Sequence, residues 1–540
     1  MRSVMQHQFS KVPQAQIQRS SFDRSHGHKT TFDAGYLVPI FVDEALPGDT
    51  FNLNMTAFAR LATPIKPVMD NMYLETFFFA VPLRLLWDNF QAFMGELEVP
   101  NTTVDYEVPK IAQQAGQGTS GSIYDYMGIP IYAAGTVNFA AFHLRAYNLI
   151  WNEWFRDQNL QEKVTEYTGD GPDPYNGFEL LRRGKRHDYF TSCLPWPQKG
   201  QDVTIPTLGT APVEPTFPGS EPSFKSSVQS DNSLRMSSGT SSVQWENTPV
   251  AGIYNAQWDN PNLVANLSEA SVTSINDLRI AFQLQKMLER DARGGTRYTE
   301  VIQAHFGVTS PDARLQRPEF LGGGSSRVIV KPVEQTTPET TVGSTPQGNL
   351  AAMGTAQLNG HGFTKSFTEH CVVIGMINAR ADLTYQQGLH RMWFRNIRYD
   401  YYWPAFAHLG EQQVYAAEIF TDTVPANPGV LAEPKAAGEI PVAQPPYFGY
   451  QERYAEYRYK PSQITGKFRS QDPDSLDVWH LSQEFANEPV LNAEFIEDNP
   501  PVDRVIATQG EPHFLFDSYF SFKCARPMPL YGVPGNIDRF

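Results

Sequence analysis

The sequence predicts a mainly β protein whose core is built from both ends of the chain, with the segments between carried as insertions. Three observations predict it. From Phe51 the residues alternate, with Phe51, Leu53, Met55 and Ala57 on one face and Asn52, Asn54 and Thr56 on the other. That period of two sets one face on a core and the other toward polar surroundings. Residues 73–81 form a near-continuous apolar run that stops at Pro82, as a more deeply buried strand does. Near the far end, Phe514, Phe516, Phe520, Phe522 and Cys524 share a strand face with Ser518 as its one polar member. The opposite face, Leu515, Asp517, Tyr519, Ser521 and Lys523, is mixed, and this last strand is expected to partner 73–81.

Composition agrees. Among 540 residues, 39 glycines and 41 prolines favour a loop-rich β protein over a helical bundle. Length alone suggests roughly three to four domains of about 150 residues, but strong strands at both ends argue for fewer. A net charge of -15 excludes generic nucleic-acid binding, so any such contact must come from local patches. Three cysteines far apart in sequence, Cys193, Cys371 and Cys524, point to a reducing compartment and against a disulfide scaffold or thiolate metal site. The N-terminus lacks the apolar stretch of a secretory signal. The most apolar run, 77–87, is broken by Pro82 and Arg84 and is too short to span a bilayer, so no membrane insertion is expected.

Taken in order, residues 1–32 read as a basic arm: Arg2, Lys11, Arg19, Arg24 and Lys29 stand against Asp23 alone, a local reversal to +4. Either it is a frayed terminus or it holds phosphates. Leu46-Pro47-Gly48-Asp49 has the chemistry of a tight reversal. Leu83, Leu86, Trp87, Phe90 and Met94 recur at helical spacing up to Gly95, and 96–137 reads mostly as loop. A helix is expected after Asn138, with Phe139, Phe142, Ala146, Leu149, Ile150 and Trp154 on one face. Another should start near Ser274, where Ser274 and Asp277 resemble a capping box, and end at Gly294-Gly295; a short one should run from Tyr298 to Phe306 and stop at Gly307. From 201 to 248, 29 of 48 residues are Ser, Thr, Gly, Pro, Asn or Gln. That is too polar for a core of its own, so the stretch is disordered or a surface excursion. The stretch 332–360 reads similarly. Strand character resumes at Phe363 and includes 371–374, and a proline-rich loop covers 425–446.

Motifs of catalysis are weak. Gly116-Gln-Gly118-Thr-Ser-Gly121 matches a dinucleotide fingerprint letter for letter but lacks the preceding buried strand and the following long helix. Gly322-Gly323-Gly324 has no following lysine. No carboxylate pair stands out, no cofactor is expected, and His26 with His28 lacks the remaining ligands of a metal shell. The strongest chemical signal is basic residues interleaved with aromatic ones, in 391–403 and again in 447–469, where Tyr450, Arg453, Tyr454, Tyr457, Arg458 and Tyr459 cluster. Tyr and Arg anchor protein–protein interfaces, and the same pairing binds single-stranded nucleic acid. Lys185 and Arg186, in the run Arg182-Arg183-Gly-Lys185-Arg186-His187, are a further phosphate candidate or a solvated loop.

Several stretches together carry a resemblance: 19–26 (RSSFDRSH), 32–39 (FDAGYLVP), 46–50 (LPGDT), 188–197 (DYFTSCLPWP), 448–454 (FGYQERY) and 526–532 (RPMPLYG). The chain resembles the major capsid proteins of microviruses, small tailless icosahedral phages with circular single-stranded DNA, and within them the gokushovirus branch. The resemblance implies an eight-stranded antiparallel jelly roll over 33–540 with long insertions. It implies self-assembly through pentamers, in the bacterial host cytoplasm, into a virion shell around single-stranded DNA. It implies a small basic DNA-packaging protein as partner, and no catalytic residue. The arm 1–32 is then expected to face the interior. The insertion 201–266 is expected to form a protrusion at the three-fold axes, clustering Phe217, Phe224, Trp245, Tyr254 and Trp258 and meeting a host-cell surface receptor. The competing expectation is a β-sandwich glycan-binding protein or glycosidase, which would be a monomer or small oligomer with a cleft holding two carboxylates.

Overall fold

In the computed structural model the described residues are 18–96, 106–201, 275–309, 316–336, 347–421 and 447–531, positions 203, 311 and 312, and six short strands between 213 and 265. The chain divides into two compact units, Met1–Pro197 with Gly294–Phe540, and Gln198–Arg293.

The first unit is built on nine strands: β1 (Ser20–Asp23), β2 (His26–Phe32), β3 (Val38–Ala45), β4 (Thr50–Leu61), β5 (Met72–Pro82), β6 (Glu319–Glu334), β7 (Leu350–Ser366), β8 (Cys371–Ala381) and β9 (Phe514–Arg526). All pairings are antiparallel, in the order β1-β9-β4-β7-β6-β5-β8-β3, with β2 also on β9. β1 and β2 lie on β9 in one continuous register, Ser20 opposite Arg526 and Phe32 opposite Phe514. They act as one strand interrupted at Arg24 and Ser25. β6 is shared: Glu319–Val328 pairs with β5, and Ile329–Glu334 with β7. The result is two four-stranded sheets, β2-β9-β4-β7 and β3-β8-β5-β6, which is the eight-stranded antiparallel order of a jelly roll. The C-terminal strand therefore joins the two chain ends as expected, but its partner is β4, along Phe514–Ala525, and not 73–81.

The inner faces meet through phenylalanine. Phe41 of β3 lies 5.3 Å from Phe520 and 5.5 Å from Phe522 of β9, and Phe78 of β5 lies 5.6 Å from Phe363 of β7. Burial along β4 and β9 alternates strictly, so the outer face of that sheet, with Phe58, Leu515 and Tyr519, is exposed. Ser518, the polar residue on the inner face, is satisfied by donating to the His28 carbonyl at 2.9 Å.

The other sheet is covered on both faces. Val372, Ile374 and Met376 of β8 and Phe79 and Val81 of β5 pack outward against Trp87, Ile111, Leu144, Tyr147 and Ile150. Here the helix begins later than expected. Val137–Ala140 pairs as a strand with Lys110–Gln113, and the α-helix is Phe142–Ile150, continued as one π-turn to Phe155. Asn138 is spent in the strand, so it caps nothing. Arg145, in that helix, is the polar centre of this layer. It is buried, donates to both Asp173 oxygens at 2.7 and 2.6 Å, and donates to the carbonyls of Leu86 and Gly169 at 2.9 Å each.

Two further expectations change. Residues 20–32 are the sheet's edge strand, not part of a free arm; one thinly covered face left no hydrophobic period to read. Of 332–360, residues 332–334 end β6 and residues 350–360 begin β7, while 337–346 lies outside the described residues. Alternate buried positions of β7 are Ala352, Ala356 and Leu358, with small residues where strands usually carry large ones. The run Gly322-Gly323-Gly324 lies where β6 pairs with β5, opposite Phe78, Phe77 and Thr76. A Cβ on Gly323 would sit 2.0 Å from the Thr76 carbonyl oxygen, so glycine is required by close backbone approach. The fingerprint-like Gly116 and Gly121 are turn residues with φ of 81° and 77°. The helices ending at Gly294 and at Gly307 (φ 68°) run as expected. The proline-rich 425–446 lies outside the described residues.

The second unit contains three two-stranded antiparallel ribbons, Val213–Pro215 with Leu263–Ala265, Ser223–Ser226 with Ala256–Asn260, and Leu234–Met236 with Val243–Trp245. Its helix runs Ile275–Gly294. Short strands thus pair within the polar stretch, two of the ribbons joining segments distant in sequence. In the ribbons Phe224 stands opposite Trp258, and Trp245 opposite Leu234. Phe217 and Tyr254 lie outside the described residues.

Candidate subunit interface

The two basic-aromatic stretches come together on one surface. A ribbon of Glu411–Tyr415 and Tyr447–Glu452 is backed by a small core containing Phe190, Val414, Ile419, Phe448 and Phe495. Two buried carboxylates fix what stands on it. Glu418 accepts from Tyr189 Oη at 2.9 Å, Arg391 Nη1 at 2.8 Å and the Tyr415 amide at 3.0 Å. Burial pushes its carboxyl up, and Arg391 pulls it back down. Glu456 accepts from Gln412 at 2.8 Å and holds Arg395 at 3.6 Å.

Arg395 in turn lies 5.1 Å from the Tyr401 ring and 4.3 Å from the Tyr457 ring. Tyr402 meets Tyr454 edge-on at 5.2 Å and Tyr457 at 6.4 Å. Arg453 stacks on Tyr454 at 4.6 Å and donates to the Tyr399 carbonyl at 3.2 Å. The outcome is a set of rings held rigidly by buried acids while their outer faces stay in solvent. Tyr402 and Tyr457 are each 50% exposed, Tyr401 is 52% and Trp393 is 68%. Exposed apolar patches of this kind mark contact sites, and pre-positioned Tyr, Trp and Arg are the residues that carry interface energy.

Of the predicted interface residues, Tyr457 and Tyr459 are exposed and Tyr450 and Arg453 half-buried. Arg458 is exposed and pairs with Glu452. Tyr454 is the exception. It is 3% exposed with φ 64°, so it supports the surface from beneath and does not present itself on it. Sequence density could not separate it from its neighbours, because the turn that inverts it has no sequence mark.

The predicted phosphate-binding residues are mostly committed. Arg2 and Lys11 lie outside the described residues. Arg19 donates to the Gly48 carbonyl and to Thr50 Oγ1, Arg24 pairs with Asp43 at 2.6 Å, and Lys29 meets Asp517 at 3.2 Å with both side chains exposed. Lys185 is buried, donates to the Phe495 carbonyl and lies 4.4 Å from that ring; burial pushes its amine down to about 8. Arg186 pairs with Glu75 at 3.3 Å and Asp382 at 3.1 Å. Burial works against the charge on Glu75, yet Arg183, Arg380 and Arg186 together hold it below the usual carboxylate range.

Asp498 sits among the same cations with the opposite result. Burial pushes its carboxyl up to about 7, although Arg380, Lys185, Arg183 and Arg182 all oppose this, and its Oδ2 has no partner among the described residues. The folded state therefore keeps a proton that the unfolded chain releases near pH 4. The unfolded chain binds fewer protons between about pH 4 and 7. Stability from this group is present at low pH and lost as pH rises through the folded value. Urea midpoints at pH 5 and 7.5 should fall less with rising pH in Asp498→Asn than in the wild type. Equal slopes would contradict the assignment.

No cluster of three or more His, Cys, Asp or Glu suited to a metal occurs among the described residues. Residues 10–536 match the family described as Capsid protein (F protein). The chain is similar to Capsid protein VP1 of Chlamydia phage 1, 46% identical across 99% of this chain and 98% of that protein. It is 45% identical to Capsid protein VP1 of Bdellovibrio phage phiMH2K, covering 99% and 98%. With Capsid protein VP1 of Spiroplasma virus 4 it shares 36%, covering 98% and 97%.

Proposed function

Because the chain belongs to the phage Capsid protein (F protein) family, we propose that it assembles through pentamers into an icosahedral shell around a single-stranded DNA genome. The observation that carries this reading is whole-chain likeness to three capsid proteins. The exposed aromatic surface of 391–403 and 447–459 supports it as a contact between copies. The glycan-binding or glycosidase reading gives way to this membership, because the relatives are coat proteins. Assembly in the bacterial cytoplasm and charge compensation by a small basic packaging protein complete the proposal, since a chain of net -15 does not neutralise a genome by itself.

Negative-stain microscopy of the purified protein tests the reading: uniform large particles are expected, and monomers or small oligomers alone would refute it. Within the shell the arm preceding β1 is proposed to face the genome through Arg2 and Lys11. Particles of a variant with Arg2, Lys11 and Lys29 changed to glutamine should assemble yet hold less DNA; unchanged DNA content would remove that role. Arg19 and Arg24 are left in place because they tie β1 to its neighbours.

The segment 201–266 is proposed as a three-fold protrusion that meets a host-cell surface receptor. Its support is that it belongs to a compact unit separate from the jelly roll. Loops carried on rigid scaffolds are where recognition concentrates. Replacing 201–248 with a short Gly-Ser linker should leave particles intact and abolish adsorption to host cells. Normal adsorption would remove the receptor role, and failure to assemble would make the segment part of the shell.

A further inference from the structure

The two sheets of the jelly roll differ on their outer faces. That of β3-β8-β5-β6 is packed under the layer of Trp87, Leu144 and Tyr147, whereas that of β2-β9-β4-β7 is open. On it Phe58 of β4 is 52% exposed and Tyr519 of β9 is 54% exposed. Both strands are already anchored by their inner faces, since Ala57 and Ala59 beside Phe58, and Ser518 and Phe520 beside Tyr519, are all buried. The core therefore makes no use of either ring. Asp517 stands opposite Phe58 and Thr56 opposite Tyr519, so the two rings are diagonal neighbours, within reach of one another. Around them the outward positions carry hydrogen-bonding side chains, among them Asn52, Asn54, Ser521 and Gln357.

The same face is cationic in an acidic chain. Its outward charged positions are Lys29, Arg60, Lys331 and Lys523 against Asp23 and Asp517. Both acids are engaged: Asp517 meets Lys29 at 3.2 Å, and Asp23 accepts from the Ser25 amide at 3.0 Å. Arg60 and Lys331 have no ion pair or hydrogen bond among the described residues, and Lys523 stands opposite Asp23 with no salt bridge between them. Along β4 the face runs from Arg60, past Phe58 and the level of Tyr519, to Asn52, which lies opposite Lys523. That distance is about 27 Å at the rise of a strand. A free cation thus stands near each end, with two rings between.

The chain also enters this sheet from a basic side. Residues 1–17 contain Arg2 and Lys11 and no acid, and they lead into β1 at its edge. An antiparallel sheet that turns rings outward between cations holds single-stranded nucleic acid, bases stacked on the rings and phosphates on the charges. A second copy of this chain would bury unpaired cations and amides in the contact, at a cost in desolvation. An acidic peptide would use the cations and leave the rings idle.

We propose that the open face of β2-β9-β4-β7 carries a single DNA strand, with bases stacked on Phe58 and Tyr519 and phosphates on Arg60 and Lys523. The assignment rests on the genome-enclosing reading above and names the wall of the subunit that the genome touches. The test uses the full-length protein and a labelled oligothymidylate, followed by fluorescence anisotropy across a salt series. Phe58→Ala combined with Tyr519→Ala should weaken binding about ten-fold or more, and Phe58→Tyr alone should bind as the wild type does. Arg60→Gln combined with Lys523→Gln should lower the salt slope by about 1.4, at ~0.7 per phosphate contact on a single strand. All four side chains are exposed, so the thermal midpoints of these variants should match the wild type. Should the double alanine variant fail to fold, the cation pair carries the test. Wild-type affinity and salt slope in both double variants would overturn the site. Competition by polyglutamate equal to that by unlabelled oligothymidylate would overturn it too, because the ligand would then be an acidic chain. Reduced particle yield in the alanine variant with unchanged strand binding would also overturn it, and would make the face a contact between copies. Nuclease-protected DNA in wild-type particles tests the genome-enclosing reading separately. Particles that protect DNA, beside variants that bind it normally, refute the sheet face alone; wild-type particles without DNA refute the reading and the face with it.

Discussion

Changing Tyr402 and Tyr457 together to alanine is expected to reduce particle yield at least ten-fold while the unassembled subunit stays folded. Each ring is half exposed, so its removal costs the isolated subunit little. What is lost internally is two edge contacts to Tyr454, one from each ring, and one stacking face for Arg395, which keeps its tie to Glu456. In a desolvated contact the same truncation costs about 2 kcal/mol or more per anchor. A closed shell repeats every contact in each subunit, so a modest loss per contact becomes a large loss in assembly. Particle yield by sedimentation, read beside the thermal midpoint of the unassembled protein, separates the two effects. Normal yield would mean that this surface is not a contact. A collapsed midpoint would mean that the rings belong to the fold.

Arg145→Ala should have the largest effect on the fold itself. Its guanidinium ties the helix Phe142–Ile150 to Asp173 and to the carbonyls of Leu86 and Gly169, with side-chain exposure of 1% for Arg145 and 3% for Asp173. Removing the cation leaves a buried carboxylate without its counter-charge and two carbonyls without their donor. Breaking such a pair from one side costs about 3–5 kcal/mol. Changing Asp173 to asparagine as well should recover part of that loss, because the uncompensated charge is then gone. Urea unfolding of the three proteins measures both numbers. A loss below about 1 kcal/mol for Arg145→Ala would place the pair in solvent.

How much of this was legible in the sequence follows from how each element is buried. β4 and β9 face the core on one side and water on the other, so their period of two is written plainly from Phe51 and from Phe514. β5 and β8 are covered on both faces and read as apolar runs. Which strands pair with which was less legible. β9 lies against β4 because the hydrogen-bonding edge, not the shared apolar face, decides neighbours, and the edge carries no side-chain signature. β2 and β7 escaped for opposite reasons. The edge strand has little apolar surface to show, and β7 fills its buried positions with alanine and glycine to fit beside β4 and β6. On the candidate contact surface, the density of Tyr and Arg marked two segments that the fold brings together. Buried Glu418 and Glu456, which hold the surface in place, gave no signal, since a lone glutamate in a loop looks solvated until its partners are known.

The measurement closest to the central claim is a cryo-electron-microscopy reconstruction of the purified particle at side-chain detail. The expected result is a closed icosahedral shell of jelly-roll subunits in which Trp393, Tyr402 and Tyr457 are buried against a neighbouring copy. A shell that leaves those three rings in solvent, or a protein that yields no shell at all, would contradict it.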